Sequence, residues 1–341
     1  MSKVNVGLIG AGRIGNLHAR NLAFRVPGAE LVAVADVREQ AAEQCAIDCQ
    51  CPAACVDYRT ILEDSDVDAV VICSSTDTHA QIIEQAAAAA KHIFCEKPLD
   101  FDLRRIDQVL AAVRRAGVKL QVGFNRRFDS NFRRVHDLVA EGAIGIPHVV
   151  RITSRDPQPP PIEYVKVSGG IFLDMTIHDF DMARYLIHDE VTEVYVAGGV
   201  MVDPKIGEVG DIDTAVITLR YASGAIGTID NSRQAVYGYD QRVEVFGSKG
   251  MVEVSNNKPD SAEWSTAEGI HSSLPLFFFI ERYTDSYILE LQAFIECIQE
   301  NKAPPVSGMD GRAPVVIGYA AKKSYLENRP VKLSEVETAA A

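Results

Sequence analysis

The feature that most constrains this 341-residue chain is a glycine-rich turn between its first apolar run and its first helical segment. Residues 4–9 form a short apolar run, which predicts a strand, and residues 13–24 have helical periodicity. Between them lies the pattern G-x-G-x-x-G, formed by Gly10, Gly12 and Gly15. A strand, this turn and a helix in succession predict the start of a Rossmann domain, whose first helix N-terminus binds a dinucleotide pyrophosphate.

Each glycine in this pattern has its own expected function. Gly10 permits the tight turn, Gly12 lets the backbone approach the pyrophosphate, and Gly15 lets the helix pack against the strand. Arg13 and Ile14 begin the helix, and its backbone N–H groups are the expected donors to the phosphates. The alternative is a glycine turn that binds no nucleotide.

An acidic residue at the end of the second predicted strand specifies the nucleotide. Asp36 directly follows the apolar run 31–35, where a carboxylate accepts hydrogen bonds from both adenosine ribose hydroxyls. The same negative charge repels a 2′-phosphate, so the sequence favours NAD over NADP. Arg38 lies two residues further on and leaves partial use of NADP open.

The order of apolar and helical segments predicts two domains. Strands are expected at residues 69–73, 92–95 and 119–123, and helices at 38–47, 78–90 and 101–116. This alternation predicts an α/β domain with a doubly wound parallel sheet over residues 1–124.

After about residue 147 the strands become longer and alternate in polarity, which is typical of antiparallel sheets. Strands are expected at residues 214–221 and 225–230, a hairpin at 241–255, and helices at 172–187, 283–300 and 313–327. They predict an α+β domain with a largely antiparallel open sheet over residues 125–334. Helix 313–327 is expected to pack back on the first domain. Residues 335–341 are expected to form a tail, disordered from Thr338 onward.

Composition excludes several classes of protein. The chain has 47 acidic and 34 basic residues, a net charge of −13, which argues against nucleic-acid binding. Its apolar runs are far shorter than the roughly 20 residues that span a bilayer, and residues 1–10 do not resemble a signal peptide. We therefore expect a cytoplasmic protein that contacts neither nucleic acid nor membrane.

Four of the seven cysteines are clustered at Cys45, Cys49, Cys51 and Cys55. This spacing differs from those of zinc and iron–sulfur sites, and an odd total favours reduced thiols. We expect apolar packing residues at a helix end, with zinc binding or a disulfide as the alternative.

A second motif, Glu96-Lys97-Pro98, lies just beyond the predicted strand 92–95, at the sheet edge where α/β proteins bind ligands. Lys97 at that edge can hydrogen-bond a substrate hydroxyl and favour its alkoxide, while Glu96 keeps the ammonium group charged. A surface ion pair beside a loop proline is the alternative.

A third motif begins with Gly169 and Gly170 and contains Asp174 and His178, four residues apart. In a continuous helix these two side chains lie on one face, with Asp174 early in the helix near the positive end of its dipole. His178 can take a proton from an alcohol while hydride leaves. The alternatives are a capping acid with a core histidine, or a metal site completed by Asp181 or His188.

Together the three motifs resemble the glucose–fructose oxidoreductase and inositol dehydrogenase family, and the resemblance covers essentially the whole chain. Supporting stretches are residues 123–129 (GFNRRFD), 153–157 (TSRDP) and 237–240 (YGYD). Within the family, the sequence is most similar to bacterial inositol 2-dehydrogenases.

The resemblance implies a catalytic group of Lys97, Asp174 and His178, in which His178 is the general base, Lys97 polarises the reacting oxygen and Asp174 orients the substrate. The residues implied to contact the sugar ring are Lys97, Arg127, Asp156, Asp174, His178 and Tyr239. The residues implied to contact the cofactor, NAD, are Gly10, Gly12, Arg13, Ile14, Gly15, Asp36, Arg38, Ser74, Ser75, Thr76, His79, Glu96 and Lys97.

The resemblance also implies a reaction, a local geometry and an assembly. The reaction is NAD-dependent oxidation of myo-inositol at C2 in inositol catabolism, with a scyllo-inositol or aldose dehydrogenase as the alternative and a non-catalytic sensor as a third possibility. No metal is implied. The Lys97-Pro98 peptide bond is expected to be cis. The open face of the second sheet is expected to pair subunits into a homotetramer.

Overall fold

The computed structural model describes residues 3–340, which divide into two compact units. Unit 1 comprises the chain up to Phe128 together with Asp285–Ala313, and unit 2 comprises Asp129–Thr284 together with the chain from Pro314 onward. The first boundary therefore lies four residues beyond the predicted position.

Unit 1 is built on a parallel sheet, as predicted. Its strands are β1 (Val4–Ile9), β2 (Ala29–Ala35), β3 (Ala54–Cys55), β4 (Ala69–Ile72), β5 (His92–Glu96) and β6 (Leu120–Gly123). Within the described residues the sheet has the order β3-β2-β1-β4-β5-β6, and every paired neighbour is parallel. The helices between these strands are α1 (Arg13–Phe24), α2 (Glu39–Asp48), α3 (Arg59–Glu63), α4 (Thr76–Ala88) and α5 (Leu103–Ala116). Since the strand order reverses beside β1, the carboxyl ends of β1 and β4 frame the crevice where such sheets bind nucleotides.

Unit 2 contains a larger sheet that is mostly antiparallel, also as predicted. Its strands are β7 (Pro147–Arg155), β8 (Val191–Gly199), β9 (Thr214–Tyr221), β10 (Ile226–Ser232), β11 (Asp240–Gly247), β12 (Gly250–Val254) and β15 (Val331–Lys332). In the described part of the chain their order is β12-β11-β7-β10-β9-β8-β15, and β10 pairs with β7 in parallel. The strands β13 (Glu263–Thr266) and β14 (Gly269–Ser272) form a separate hairpin.

The helices of unit 2 include α6 (Ser130–Ala140), α7 (Ile162–Val165), α8 (Gly170–Asp174), α9 (Ile177–Ile187), α10 (Pro204–Glu208) and α11 (Phe279–Arg282). Of these, α6 packs against β12 and α9 against β7. Strand β9 alternates buried and exposed residues along its length, so one face of the sheet is packed and the other is open.

The segment predicted as one helix over residues 172–187 is two helices, so that prediction is wrong. The carbonyl oxygen of Ile171 accepts from the N–H of Met175 at 3.1 Å and from that of Thr176 at 2.9 Å, which makes a wider turn at the end of α8. The Thr176 hydroxyl lies 2.6 Å from the side-chain oxygen of Asn231 in β10, a contact that anchors the break to the sheet. Asp174 therefore ends α8 instead of lying early in a longer helix.

Helix α12 (Thr284–Gln299) belongs to unit 1, although the sequence placed it in the second domain. Its buried residues Leu291, Phe294 and Ile295 lie in the same apolar core as Leu8 and Phe94 of the parallel sheet. An amphipathic sequence specifies a buried face but not the sheet against which that face packs, which explains the error.

The last two helices also differ from prediction. Helix α13 (Gly308–Glu327) begins five residues earlier than predicted; it starts in unit 1 and lies in unit 2 from Pro314. Helix α14 (Ser334–Ala340) occupies most of the predicted tail, so the expected disorder from Thr338 is wrong as far as Ala340. Residue 341 lies outside the described residues.

The four clustered cysteines are free thiols, and three of them contribute to packing. Cys45 and Cys49 are buried in the core of unit 1, and Cys51 packs against that core. Burial raises the pKa of the Cys45 thiol to about 12, so it is neutral and unreactive. Across residues 3–340, no helix is both long and apolar enough to cross a bilayer.

Candidate active site

The glycine turn has the geometry that a dinucleotide requires. Gly10 has a φ of +99°, and a Cβ there would lie 2.6 Å from the backbone nitrogen of Ser74. A Cβ on Gly15 would lie 1.8 Å from the carbonyl oxygen of Gly10, so α1 packs directly on the turn. A Cβ on Gly12, the N-cap of α1, would meet no described atom within 4 Å beyond its chain neighbours. An open position at the N-terminus of α1 is what allows a pyrophosphate to approach the N–H groups of the first helical turn, which begins with Arg13 and Ile14.

Asp36 supports this turn from the end of β2. Its Oδ2 accepts from the backbone N–H of Ala11 at 2.8 Å, and its Oδ1 accepts from the backbone N–H of Arg38 at 2.9 Å. The Arg38 side chain is mostly exposed, and its Nε lies 3.4 Å from Asp36 Oδ1. Asp36 therefore connects the glycine turn with the start of α2, and each of its oxygens keeps lone-pair capacity for a ribose hydroxyl.

The segment after β4 forms the N-terminus of α4. Ser75 is its N-cap and Thr76 its first residue, while the Ser74 hydroxyl lies 2.7 Å from the hydroxyl of Thr78. Further along, the ring nitrogens of His79 lie 2.8 Å from the carbonyl oxygen of Pro98 and 3.0 Å from that of Ser74. Burial lowers the pKa of His79, although both carbonyl groups favour its charged form. His79 thus ties this helix to the Lys97-Pro98 segment.

The Glu96-Lys97-Pro98 motif lies at the carboxyl end of β5. The Lys97-Pro98 peptide bond is cis, as the resemblance implied. Glu96 Oε1 lies 2.7 Å from Nε2 of His18, a residue of α1 that the sequence did not single out.

Arg127 follows β6 in a short 3₁₀ turn (Asn125–Phe128) and binds Asp310 of α13 through Nη2 at 3.0 Å. Burial alone raises the pKa of Asp310, but the Arg127 charge and hydrogen bonds from Ser307 outweigh it, so the pKa lies below its usual range. Arg127 is therefore held by an ionised partner.

In unit 2 the carboxylate of Asp174 is held from two sides. Its Oδ1 accepts from the hydroxyl of Tyr164 at 2.8 Å, and its Oδ2 accepts from Nη1 of Arg233 at 3.2 Å. Burial and the negative charge of Asp174 raise the pKa of Tyr164, so the phenol stays protonated and donates. Two donors that the sequence did not reveal therefore fix the orientation of Asp174.

Arg233 lies within reach of three carboxylates. It follows β10, its side chain is 1% exposed, and besides Asp174 it approaches Asp156 at 4.0 Å and Asp211 at 3.9 Å. Asp211 accepts from the backbone N–H of Ile171 at 3.0 and 3.1 Å, which caps the start of α8. Burial raises the pKa of Asp211, while these hydrogen bonds and the Arg233 charge partly oppose that rise. The structure thus groups Asp156 with Asp174 around one buried cation.

His178 and Tyr239 are the other two predicted site residues of unit 2. His178 is half-buried in the first turn of α9, beyond the wide turn that separates it from Asp174. Tyr239 is buried before β11, with its ring edge-on to Tyr283 at 6.1 Å. The helical spacing of four that suggested a common face for Asp174 and His178 is therefore interrupted.

A metal site at Asp174 and His178 was one alternative for the third motif. Among the residues that the structure describes, three side chains of metal-ligating type come within 4.8 Å of one another at His18, Glu96 and Glu290. That grouping includes neither Asp174 nor His178, and neither Asp181 nor His188.

Both parts of the chain match known families. Residues 4–124 match the family described as "Oxidoreductase family, NAD-binding Rossmann fold", and residues 132–253 match the "GFO/IDH/MocA C-terminal domain".

Several proteins are similar over their full length. The chain is 51% identical to a myo-inositol 2-dehydrogenase from Thermotoga maritima, covering 98% of this chain and 99% of that protein. It is 47% identical to an inositol 2-dehydrogenase from Rhizobium meliloti, covering 97% and 99%. It is 38% identical to a scyllo-inositol 2-dehydrogenase (NAD(+)) from Bacillus subtilis, covering 97% and 96%.

Two solved structures from Lactobacillus casei contain ligands. A scyllo-inositol dehydrogenase with NAD(H) and scyllo-inositol matches with a TM-score of 0.92 and 28% identity, covering 98% of this chain and 100% of that one. A myo-inositol dehydrogenase with NAD(H) and myo-inositol matches with a TM-score of 0.88 and 28% identity, covering 97% and 96%. From these matches and its dinucleotide turn, the chain belongs to the GFO/IDH/MocA family of oxidoreductases and has an NAD-binding Rossmann domain.

Proposed function

We propose that this enzyme oxidises the C2 hydroxyl of myo-inositol to the 2-keto product, scyllo-inosose, with NAD as hydride acceptor. The observation that carries the proposal is the similarity to named inositol 2-dehydrogenases at 51% and 47% identity over nearly the whole chain. The sequence also retains Lys97, Asp174 and His178, which the motif resemblance assigns to catalysis.

In the proposed mechanism His178 and Lys97 act on the substrate hydroxyl that is oxidised, and Asp174 binds the hydroxyls next to it. His178 accepts the hydroxyl proton on its imidazole as the carbon–hydrogen bond breaks. Lys97 donates a hydrogen bond to the same oxygen and stabilises the negative charge that develops there. Asp174, oriented by Tyr164 and Arg233, accepts hydrogen bonds from neighbouring ring hydroxyls. Bound NAD supplies the electrophilic carbon that receives the hydride.

The remaining predicted contacts suit a neutral, polyhydroxylated ring. Arg127 donates, Asp156 accepts and Tyr239 can do both, so together they can pair hydroxyls of different orientation. A site that pairs each hydroxyl rejects analogues whose hydroxyls point elsewhere, because its buried polar groups are then left unpaired.

The substrate can be tested by following NADH absorbance with purified enzyme and a panel of myo-inositol, scyllo-inositol and glucose. The proposal requires the highest kcat/KM with myo-inositol. Preference for scyllo-inositol, as in the 38%-identical relative's name, or for an aldose would overturn the substrate and retain the reaction class. Binding of a cyclitol without any turnover would indicate a sensor.

The position of Asp36 leads to a prediction about the cofactor. Replacing Asp36 with Asn or Ala should weaken NAD binding by about 10- to 100-fold, the usual effect of losing hydrogen bonds to a charged group. NADP should lose less, because the repulsion of its 2′-phosphate also disappears. Kd values from nucleotide titrations give the NADP-to-NAD ratio in each variant.

Comparing the two variants separates the effect of the negative charge of Asp36 from the effect of its hydrogen bond to the glycine turn. Asp36→Asn keeps an acceptor for the Ala11 N–H, whereas Asp36→Ala removes it. Asp48→Ala, which removes an exposed acid from the end of α2, is the matched control and should leave the ratio unchanged. A wild-type enzyme that binds NADP as tightly as NAD would show that Asp36 does not select the cofactor.

We further propose that the open face of the unit 2 sheet pairs subunits, with two pairs forming a tetramer. Exposed apolar side chains occur along its strands; they are Tyr195, Val216, Ile226, Phe246 and Met251. Such a patch is typical of an interaction surface. Light scattering at micromolar concentration should give the mass of four chains, and a monomer would contradict the proposal.

A further inference from the structure

Three ionisable side chains meet in the interior of unit 1, and one of them belongs to the Glu96-Lys97-Pro98 motif. They come from three elements: His18 from α1, Glu96 from the end of β5, and Glu290 from α12. His18 Nε2 lies 2.7 Å from Glu96 Oε1 and 3.9 Å from Glu290 Oε1. The side chains of His18 and Glu290 are 0% exposed, and only Glu96, at 15%, reaches solvent. The cluster is therefore a buried polar group with one accessible member.

Within the described residues, neither carboxyl oxygen of Glu290 has a hydrogen-bond partner, and neither does Nδ1 of His18. The rings of Phe94 and Tyr287 lie edge-on to His18 at 5.3 and 5.7 Å, so the surroundings are largely apolar. An ionised carboxylate left unpaired in such a place costs several kcal/mol, whereas a protonated one costs far less.

Neither Glu96 nor Cys73 supplies Glu290 with a compensating positive charge. Burial, reinforced by the charge of Glu96, raises the pKa of Glu290 well above its usual value. Cys73, which follows β4, also interacts electrostatically with Glu290, but burial raises the pKa of this thiol and keeps it neutral. Among the residues that the structure describes, His18 and Glu96 are the groups that form the cluster with Glu290.

The distance between His18 and Glu96 favours a hydrogen bond between them over a metal ion bound by both. Zinc bound to both His18 and Glu96 at about 2.0–2.2 Å in tetrahedral geometry would hold their ligand atoms about 3.3 Å apart. The observed 2.7 Å separation is instead typical of a charge-assisted N–H···O hydrogen bond. This contact fits an imidazole N–H that donates to a carboxylate oxygen.

The backbone of β6 fixes the other side of Glu96. A Cβ on Gly123 would lie 3.0 Å from both Cδ and Oε2 of Glu96, so this carboxylate packs directly against the glycine. The Glu96 carboxylate therefore lies between the imidazole of His18 and the backbone of Gly123, and Glu96 immediately precedes Lys97 in the chain.

We propose that His18 and Glu290 are positioning residues for Glu96: His18 donates to Glu96, Glu290 keeps its own proton, and Glu96 carries the single negative charge of the cluster beside Lys97. The inference deepens the proposed function, because it rests on Lys97 acting in catalysis. It adds two residues whose side chains are 0% exposed and which act through Glu96, and it gives the buried Glu290 a defined protonation state.

The protonation state can be measured without any assay of activity. The infrared spectrum of the whole enzyme in D₂O at pH 7 should contain the C=O band of a protonated carboxylic acid, and Glu290→Gln should remove it. Glu296→Gln is the matched control, since Glu296 is an exposed acid on the same helix and its loss should not affect the band. A wild-type enzyme without this band, or one that is purified with stoichiometric divalent metal, would overturn the proposal.

The positioning role can be measured with two variants of His18. His18→Leu removes the donor to Glu96 and should lower kcat by about 10- to 100-fold, the effect of losing a hydrogen bond to a charged group. His18→Gln retains an N–H donor and should restore kcat to within about threefold of the wild type. Equal losses in both variants would show a packing role only and would refute the inference. A wild type inactive on every cyclitol would instead refute the proposed function, while the infrared result would still stand.

Discussion

Replacing His178 with alanine is expected to lower kcat by about 10² to 10⁴, the range usual for losing a general acid–base group. In the proposed mechanism the substrate hydroxyl must lose a proton as its carbon loses hydride, and the variant has no base for that proton. NAD binding should be retained, because the glycine turn and Asp36 lie in unit 1 and His178 lies in unit 2. Steady-state kinetics with myo-inositol and a separate NAD titration measure the two effects.

The pH dependence distinguishes a lost base from a damaged fold. In the wild type, kcat/KM should fall about tenfold per unit at pH values well below the pKa of the base, because imidazolium cannot accept a proton. His178→Ala should flatten this acid limb. His271→Ala, which removes an exposed imidazole stacked on Trp264 in the β13–β14 hairpin, is the control and should keep both rate and limb. Near-normal turnover with an unchanged limb would assign the base to another group, such as Lys97.

The parallel sheet of unit 1 was predictable because its signals are local. Each strand is a short apolar run, and the G-x-G-x-x-G motif of the first turn specifies both a backbone shape and a ligand. The observed β1 and α1 have the predicted boundaries of residues 4–9 and 13–24. In unit 2, β9 likewise matches residues 214–221, because strict alternation of polar and apolar residues identifies a strand with one open face.

The errors arose where distant residues determine local structure. The break between α8 and α9 depends on a hydrogen bond from Thr176 to Asn231, 55 residues further along the chain, and no local pattern reports such a contact. The assignment of α12 to unit 1 depends on which sheet its apolar face covers. In both cases the segment is helical as predicted, and tertiary packing determines where it ends or to which unit it belongs.

The residues of the candidate site were also predicted where the signal is local and missed where it depends on the fold. The sequence motifs give Gly10, Asp36 and Lys97 by local patterns, and a family resemblance adds residues that lie far apart in the chain. Neither source predicted Arg233, which binds Asp174 across 59 residues, or Glu290 beside His18. An arginine after a strand and a glutamate in an amphipathic helix have ordinary surface roles in most sequences. Only the fold shows that these two are buried.

Replacing Arg233 with methionine is expected to destabilise the enzyme by roughly 2–4 kcal/mol. Removing one partner of a fully buried ion pair destabilises a protein by about 3–5 kcal/mol. We expect a smaller loss here because the three carboxylates keep some contact with water. Their side chains are 13 to 26% exposed, whereas Arg233 is 1% exposed. The thermal midpoint should fall by several degrees. Arg220→Met is the control: it breaks a more exposed pair with Glu193 in the same sheet, and such pairs contribute about 1 kcal/mol or less.

The stability lost in Arg233→Met should depend on pH, and the pKa of Asp211 determines whether the loss grows or shrinks as pH rises. Its pKa in the folded state is raised by burial, so ionising it costs folding free energy, and stability falls as pH rises above about 4. The Arg233 charge opposes that rise in pKa, and its removal lets the pKa of Asp211 rise further. Arg233→Met should therefore lose more stability at pH 8, where the unpaired carboxylate must ionise, than at pH 5, where it can keep its proton. An equal loss at both pH values would mean that Arg233 stabilises the fold by filling space and that its charge does not hold Asp174 and Asp211 in place.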